Sequence, residues 1–219
     1  MSPSISIASF LLPLSEVDNK ISNSLNDFGI QLLREIDSSK RNDNVLFSPY
    51  SISFALLMAS EGSLGSTKKE ILDILGLYAI DSEALHNFIF KYLEQKNENI
   101  SLINGTWIQS DECYSPNKDF IRVMNSIYNS KISYVDFTEM KDSIILDINH
   151  WVSEKTNSLI SDMISDEDIR LSTVQVIINA LYFYDEWNEV FNPSRTVENM
   201  FYSNFKDSVN VKMLSNTSY

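Results

Sequence analysis

Two segments of this chain are apolar in a way that only a large folded body can accommodate. From Val174 to Phe183 the sequence reads Val-Gln-Val-Ile-Ile-Asn-Ala-Leu-Tyr-Phe, almost continuously apolar and rich in β-branched residues. A run of that kind predicts a central strand covered on both faces. From Ser48 to about Ser60, Ile52, Phe54, Ala55, Leu56, Leu57, Met58 and Ala59 place apolar groups on nearly every face of a helix. Such a helix has no side to offer to water, so it must pass through the middle of a fold. At 219 residues the chain can bury a core that holds both.

The remaining pattern fills in around them. Ile21, Leu25, Phe28, Leu32, Leu33 and Ile36 form one apolar stripe at helical spacing. Lys40 to Asn44 is a polar break, after which Ser48 can cap the apolar helix with Pro49 in its first turn. Gly62 to Gly65 ends it. Thr67 with Glu70 predicts a capping box for a third helix closed by Gly76, and Ser82 a cap for a fourth carrying Leu85, Phe88, Ile89, Tyr92 and Leu93 inward. Leu102 to Gln109 is a short strand interrupted by Gly105, and Ser115-Pro116 opens a fifth helix with Phe120, Met124 and Ile127 inside. Ile132, Tyr134 and Phe137 alternate as in a strand with one wet face. A sixth helix spans 143–158, with Ile145, Ile148 and Val152 on one side, and Val209, Val211 and Met213 mark a last strand. Helices come first and strands later, which reads as α+β in one continuous domain.

Composition excludes several functions. The formal net charge of −13 repels phosphate backbones and anionic lipid, so neither nucleic acid nor membrane is an expected partner. Cys113 stands alone, so the chain holds no internal disulfide and no paired-cysteine metal or redox site. Between Glu112 and Tyr114 it lacks the cationic neighbours that activate a thiol. His86 and His150 sit in no metal-ligand spacing and read as surface histidines on polar helix faces. No Ser/His/Asp set, Gly-x-Ser-x-Gly elbow or cofactor motif is present, so no enzyme and no cofactor are expected. The apolar Ile5–Leu14 stretch lacks a preceding Lys or Arg and reads as part of an N-terminal extension over 1–19, with a signal peptide as the alternative. Sequons begin at Asn99, Asn104 and Asn216.

Several segments, in order, resemble the serpins, the family of suicide inhibitors of serine and cysteine proteases. Asn44-Val45-Leu46-Phe47-Ser48-Pro49-Tyr50-Ser51-Ile52-Ser53, running into Leu56, Gly62, Thr67 and Leu75, is similar to the family's helix B and C signature. Asp136-Phe137 with Ile148-Asn149-His150-Trp151-Val152 and Thr156 resembles its helix F region. Asn179-Ala180-Leu181-Tyr182-Phe183, then Trp187, Phe191, Thr196 and Phe201, resembles its central strand and exit.

The resemblance implies a partial serpin domain over 20–219: helices A to F and strands of the large A sheet. It implies that Ser48, Ser51 and Asn179 belong to the shutter, a buried polar cluster beneath that sheet, and that Trp187 marks the breach, where a cleaved reactive loop begins to insert. The hinge, the reactive loop and the scissile bond have no counterpart up to Tyr219. The expectation is therefore a nominal serine-type endopeptidase inhibitor, not inhibitory as a 219-residue chain. The alternative is a non-inhibitory half-serpin that binds partners, or itself, through an exposed sheet edge. The family and the sequons favour the extracellular space, and the unclear leader keeps the cytoplasm open. Tyr184-Asp185 and Ser158-Leu159 replace the family's Lys-Gly and Gly-Lys, and the loss of a glycine at either place is expected to strain a turn. Lys91 and Lys96 among Glu94 and Glu98 give no heparin patch.

Overall fold

The computed structural model describes residues 15–39, 45–94, 99–111, 115–202 and 208–215. Cys113, Asn216 and the 40–44 break lie outside them. The chain divides into two compact units, Met1–Tyr182 and Phe183–Tyr219.

The first unit opens with helix α1, Glu16–Ser39. A capping box starts it: the Ser15 N–H donates to Asp18 Oδ2 at 3.0 Å, and the Asp18 N–H to Ser15 Oγ at 3.1 Å. Residues 16–19 are thus the helix's first turn. Helix α2, Pro49–Glu61, has Ser48 as N-cap with its hydroxyl accepting the Ser51 N–H, and Gly62 as C-cap. Helix α3, Gly65–Ile74, begins ahead of Thr67 and has no side-chain cap, so the expected Thr67–Glu70 box does not form. The chain turns with Gly65 at φ +59°, a conformation that glycine adopts without steric penalty and that fixes the entry point upstream of Thr67. Gly76 closes the turn at φ +68°, as expected. Helix α4, Ser82–Glu94, is capped not by Ser82 but by Asp81, whose Oδ2 accepts from the Glu83 and Ala84 N–H groups. Helix α5, Lys118–Ser126, is capped by Asn117 rather than by Ser115.

Strand β1, Ile100–Gln109, runs through Gly105 without interruption. A Cβ at Gly105 would lie 2.5 Å from the Trp107 ring and 3.0 Å from that of Trp151, so glycine is there to admit indoles, not to break the strand. Strand β2, Lys131–Val135, pairs with β1 in parallel, Gly105 opposite Lys131 and Gln109 opposite Val135. β1, α5 and β2 therefore form a parallel crossover unit inside the α+β arrangement, which the helices-then-strands reading missed. Helix α6, Lys141–Lys155, follows, with Ile144, Ile148 and Val152 buried. Strand β3, Gln175–Phe183, completes a sheet of order β2-β1-β3. Of the described strands it is β1, not β3, that lies between two neighbours. Beyond β3 no described strand pairs, because hydrogen-bond partners are a property of the assembled sheet and are not written in a strand's own apolarity.

Strand periodicity sorts the sheet's two faces. Trp107, Ile178 and Ala180 pack with Phe137, Ile144, Ile148, Val152 and Ile169 beneath α6. Ile108, with Ile132 and Ile177 against it, joins the larger core of Ile21, Leu25, Phe54, Leu57, Met58, Ile89 and Met124 from α1, α2, α4 and α5. The α2 helix is thus held among other helices and one sheet face, as its all-round apolarity requires.

The second unit holds an antiparallel ribbon of β4, Val197–Tyr202, and β5, Ser208–Met213, with Val197 opposite Met213 and Tyr202 opposite Ser208. Every β4 residue is exposed.

Candidate functional site

Alternation along β1 and β3 sends Leu102, Asn104, Thr106 and Ile108, and likewise Ile177 and Asn179, toward the larger core. Two carboxamides are therefore carried into the interior. Asn179 is 7 % exposed and Asn104 3 %. The Asn179 Nδ2 donates to Asn104 Oδ1 at 2.6 Å, and the Asn104 Nδ2 donates to the Tyr128 carbonyl at 2.7 Å. Beside them the Thr106 and Ser130 hydroxyls share a bond of 3.1 Å, both residues buried. The relay joins β3 to β1 and β1 to the turn after α5.

Among the described residues, four atoms on α2 and β3 are buried with no hydrogen-bond partner: Ser51 Oγ, Ser53 Oγ, Gln175 Nε2 and Asn179 Oδ1. Each such orphan costs about 1–3 kcal/mol of desolvation. Of the expected cluster, the structure buries Asn179 and the Ser51 hydroxyl but joins neither to the other. Ser48 works as a helix cap, 3.2 Å from the Ser51 N–H. Asn104, which carries the relay, reads from the sequence only as the start of a sequon and not as part of the buried cluster. Its signal was present in the period-two placement of a carboxamide between Leu102 and Ile108, obscured by reading Gly105 as a break. Trp187 lies in the second unit, 71 % exposed, its ring edge-on to Phe191 at 5.5 Å.

A second polar group ties α2 to α4. His86 Nε2 lies 2.8 Å from Glu61 Oε1, and the Tyr128 hydroxyl donates to that oxygen at 3.4 Å. His86 is therefore a packed residue and not a surface histidine; the polar face it occupies turns toward the end of α2 and finds a carboxylate there. Burial, then the Glu61 charge, pushes the Tyr128 phenol well above its usual range. His150 is exposed, as expected. Burial of Asn104 also closes the central sequon, so the sequons lend less to an extracellular placement than their number suggests.

Among the described residues no group of His, Cys, Asp and Glu is arranged to hold a metal ion. No described helix is long and apolar enough to cross a membrane.

Residues 23–219 match the family model described as serpin, serine protease inhibitor. Neuroserpin of Mus musculus is 28% identical over 195 residues, covering 87% of this chain and 47% of the relative. Antithrombin-III of Ovis aries is 29% identical over 185 residues, covering 81% and 40%. A solved structure described as cleaved serpin 42Da superposes with a TM-score of 0.83 at 24% identity, covering 90% of this chain and 53% of that one. The chain spans about half the length of the curated relatives it matches. With the model matched over almost all of its residues and the fold shared, the chain belongs to the serpin family.

Proposed function

We propose that this chain supplies the N-terminal portion, residues 20–219, of a serine-type endopeptidase inhibitor that works by inserting its cleaved reactive loop as a new strand of the large sheet. The carrying observation is the Asn104–Asn179 relay with its unpaired Asn179 Oδ1 beneath the sheet. An apolar interface would resist separation of strands outright, whereas hydrogen bonds with a spare acceptor can be exchanged as strands part. In this reading Ser48, Ser51 and Asn179 serve the shutter, with Asn104 added, and Trp187 serves the breach. The protein binds a protease as partner and performs no catalysis of its own. The energy of inhibition comes from sheet pairing gained on insertion, so no catalytic residue is assigned.

The 219-residue polypeptide is expected to give no SDS-stable adduct with trypsin-, chymotrypsin- or elastase-type proteases. The product of a transcript continuing past the Tyr219 codon is expected to give one. An adduct with the short chain, or cleavage of the longer product without any adduct, overturns the inhibitory reading.

One observation favours a second reading, a non-inhibitory interaction module: Val197, Met200, Phe201 and Tyr202 expose apolar surface on a two-stranded ribbon, and a ribbon of that kind can add a strand from a partner or a second copy. Sedimentation with dye binding tests it. Concentration-dependent association with strong ANS fluorescence supports the module, and a monodisperse monomer without ANS signal removes it.

A further inference from the structure

Asn104, Gly105 and Thr106 spell an N-glycosylation acceptor, and the structure gives the acceptor nitrogen a different task. Asn104 is 3 % exposed and Thr106 0 %. The Asn104 Nδ2 that a glycosyltransferase would use donates to the Tyr128 carbonyl at 2.7 Å, and its Oδ1 accepts from Asn179 at 2.6 Å. The Thr106 hydroxyl, the second recognition element of the sequon, is engaged with Ser130 Oγ at 3.1 Å. On the opposite face the strand is closed by the Trp107 and Trp151 rings, stacked edge-to-face 5.3 Å apart against Gly105.

Glycan transfer forms a bond between Nδ2 and the anomeric carbon of a lipid-pyrophosphate-linked oligosaccharide. The anomeric carbon–oxygen bond breaks, the lipid pyrophosphate leaves, and one amide proton is lost to base. The nitrogen keeps a single N–H, and the sugar must occupy space within bonding distance of it. In the folded chain that space is core. The machinery acts on an extended chain as it emerges, before burial can protect the site, and Asn-Gly-Thr is a complete acceptor in that state.

We infer that the Asn104 amide has to remain unmodified for this chain to fold, and that the chain folds in a compartment without N-glycosylation machinery, such as the cytosol. A glycan at Asn104 is incompatible with the β1–β3 relay and with the sheet built around it. The inference rests on burial and hydrogen bonding of the sequon and is independent of protease inhibition.

The test expresses the full chain in a eukaryotic host, with and without a secretory leader, in a background where Asn99 and Asn216 are Gln. Asn104 is then the only acceptor. Occupancy is read by peptide mass spectrometry in the protease-resistant soluble fraction and in the aggregate. The leader-bearing chain is expected to carry its glycan in the aggregate alone, with native yield about tenfold below that of the leaderless chain. Thr106→Val, which abolishes the sequon at nearly constant shape, should recover most of the secreted native yield. Blocking dolichol-linked donor synthesis should do the same without any mutation, and Thr106→Ser, which keeps the sequon, should recover none. A glycan on Asn104 in native protein overturns the inference. So does native secretion of the leader-bearing chain at the leaderless level, or failure of both the Val variant and the donor block to raise its yield.

Discussion

Strands β1 and β4 have similar side chains and opposite surroundings. β1 carries Ile100, Leu102, Ile103, Trp107 and Ile108, and its last six residues are buried. β4 carries Val197, Met200, Phe201 and Tyr202, and all six of its residues are exposed. Both strands are extended and paired, so local conformation does not separate them. What separates them is covering. β1 lies between β2 and β3 with helices packed on both faces, whereas β4 has one described partner, β5, and two open faces. Apolarity and β-propensity set what a strand can do, and the layers around it decide how much free energy its side chains contribute.

The sharpest way to break this comparison is to truncate one aromatic in each strand. Trp107 is fully buried, and its Nε1 donates to Asp147 Oδ2 at 3.2 Å. Trp107→Ala is expected to cost about 3–5 kcal/mol in denaturant unfolding. Phe201 is 50 % exposed, and Phe201→Ala is expected to shift the same transition by less than about 1 kcal/mol. Equal shifts would mean that the ribbon is as well covered as the core strand.

The polar side of β1 gives the next effect. Asn179→Ala leaves Asn104 Oδ1 without its donor in the interior and is expected to lower stability by about 1–3 kcal/mol. Asn125→Ala, at an exposed position on α5, should change it by no more than about 0.5 kcal/mol. Indistinguishable midpoints for the pair would remove the relay from the energetics of the sheet.

After α6 the chain makes a turn where residue choice runs against conformation. Asn157 and Ser158 have φ of +50° and +61° after α6. Asparagine tolerates that region and serine does so poorly. Ser158→Gly is expected to raise stability by about 1 kcal/mol in chemical denaturation, and a loss of stability would show that its side chain is required.

The smallest effect is on pH. Asp136 Oδ1 accepts from the Glu139 N–H at 3.1 Å, the Gln109 amide at 3.4 Å and the Thr138 N–H at 2.9 Å, which together hold its carboxyl below the usual range. Asp168 is lowered by the Ser165 N–H and hydroxyl. A depressed folded-state pKa favours the native state above the unfolded value, near 3.9, and that contribution disappears as pH falls through the folded value. Thermal midpoints should therefore decline below about pH 4, and Asp136→Asn should flatten that decline. An unchanged acid limb in the variant would reassign it to other carboxylates.

Much of the helical half was legible because its signals are local. The stripe Ile21-Leu25-Phe28 is a periodicity, and Gly76 closes a turn that its own φ requires, so each is specified within a few residues. Caps were less legible for the same reason turned around: Ser82 beside Asp81 and Ser115 beside Asn117 offer competing oxygens a residue or two apart, and geometry selects one. At the candidate site, Asn179 and Ser51 could be named from their motifs, but Asn104 could not be weighted correctly. Its importance arises from Asn179, 75 positions away, and from the Tyr128 carbonyl.

The sequence by itself determined the family, the six helices and most of their inward residues, because motif order and period are properties of a single chain segment. Leu33 of the α1 stripe is nevertheless exposed, and the ribbon strand β4 was not among the expected elements. Tertiary structure alone decided that β1 would be the inner strand of the described sheet, that Gly105 would make room for two indoles, and that His86 would meet Glu61. It also decided that a complete glycosylation sequon would be sealed inside the fold. Those outcomes depend on which surfaces are brought within a few ångströms of one another, and hydrogen-bond satisfaction and close packing are settled only at that range.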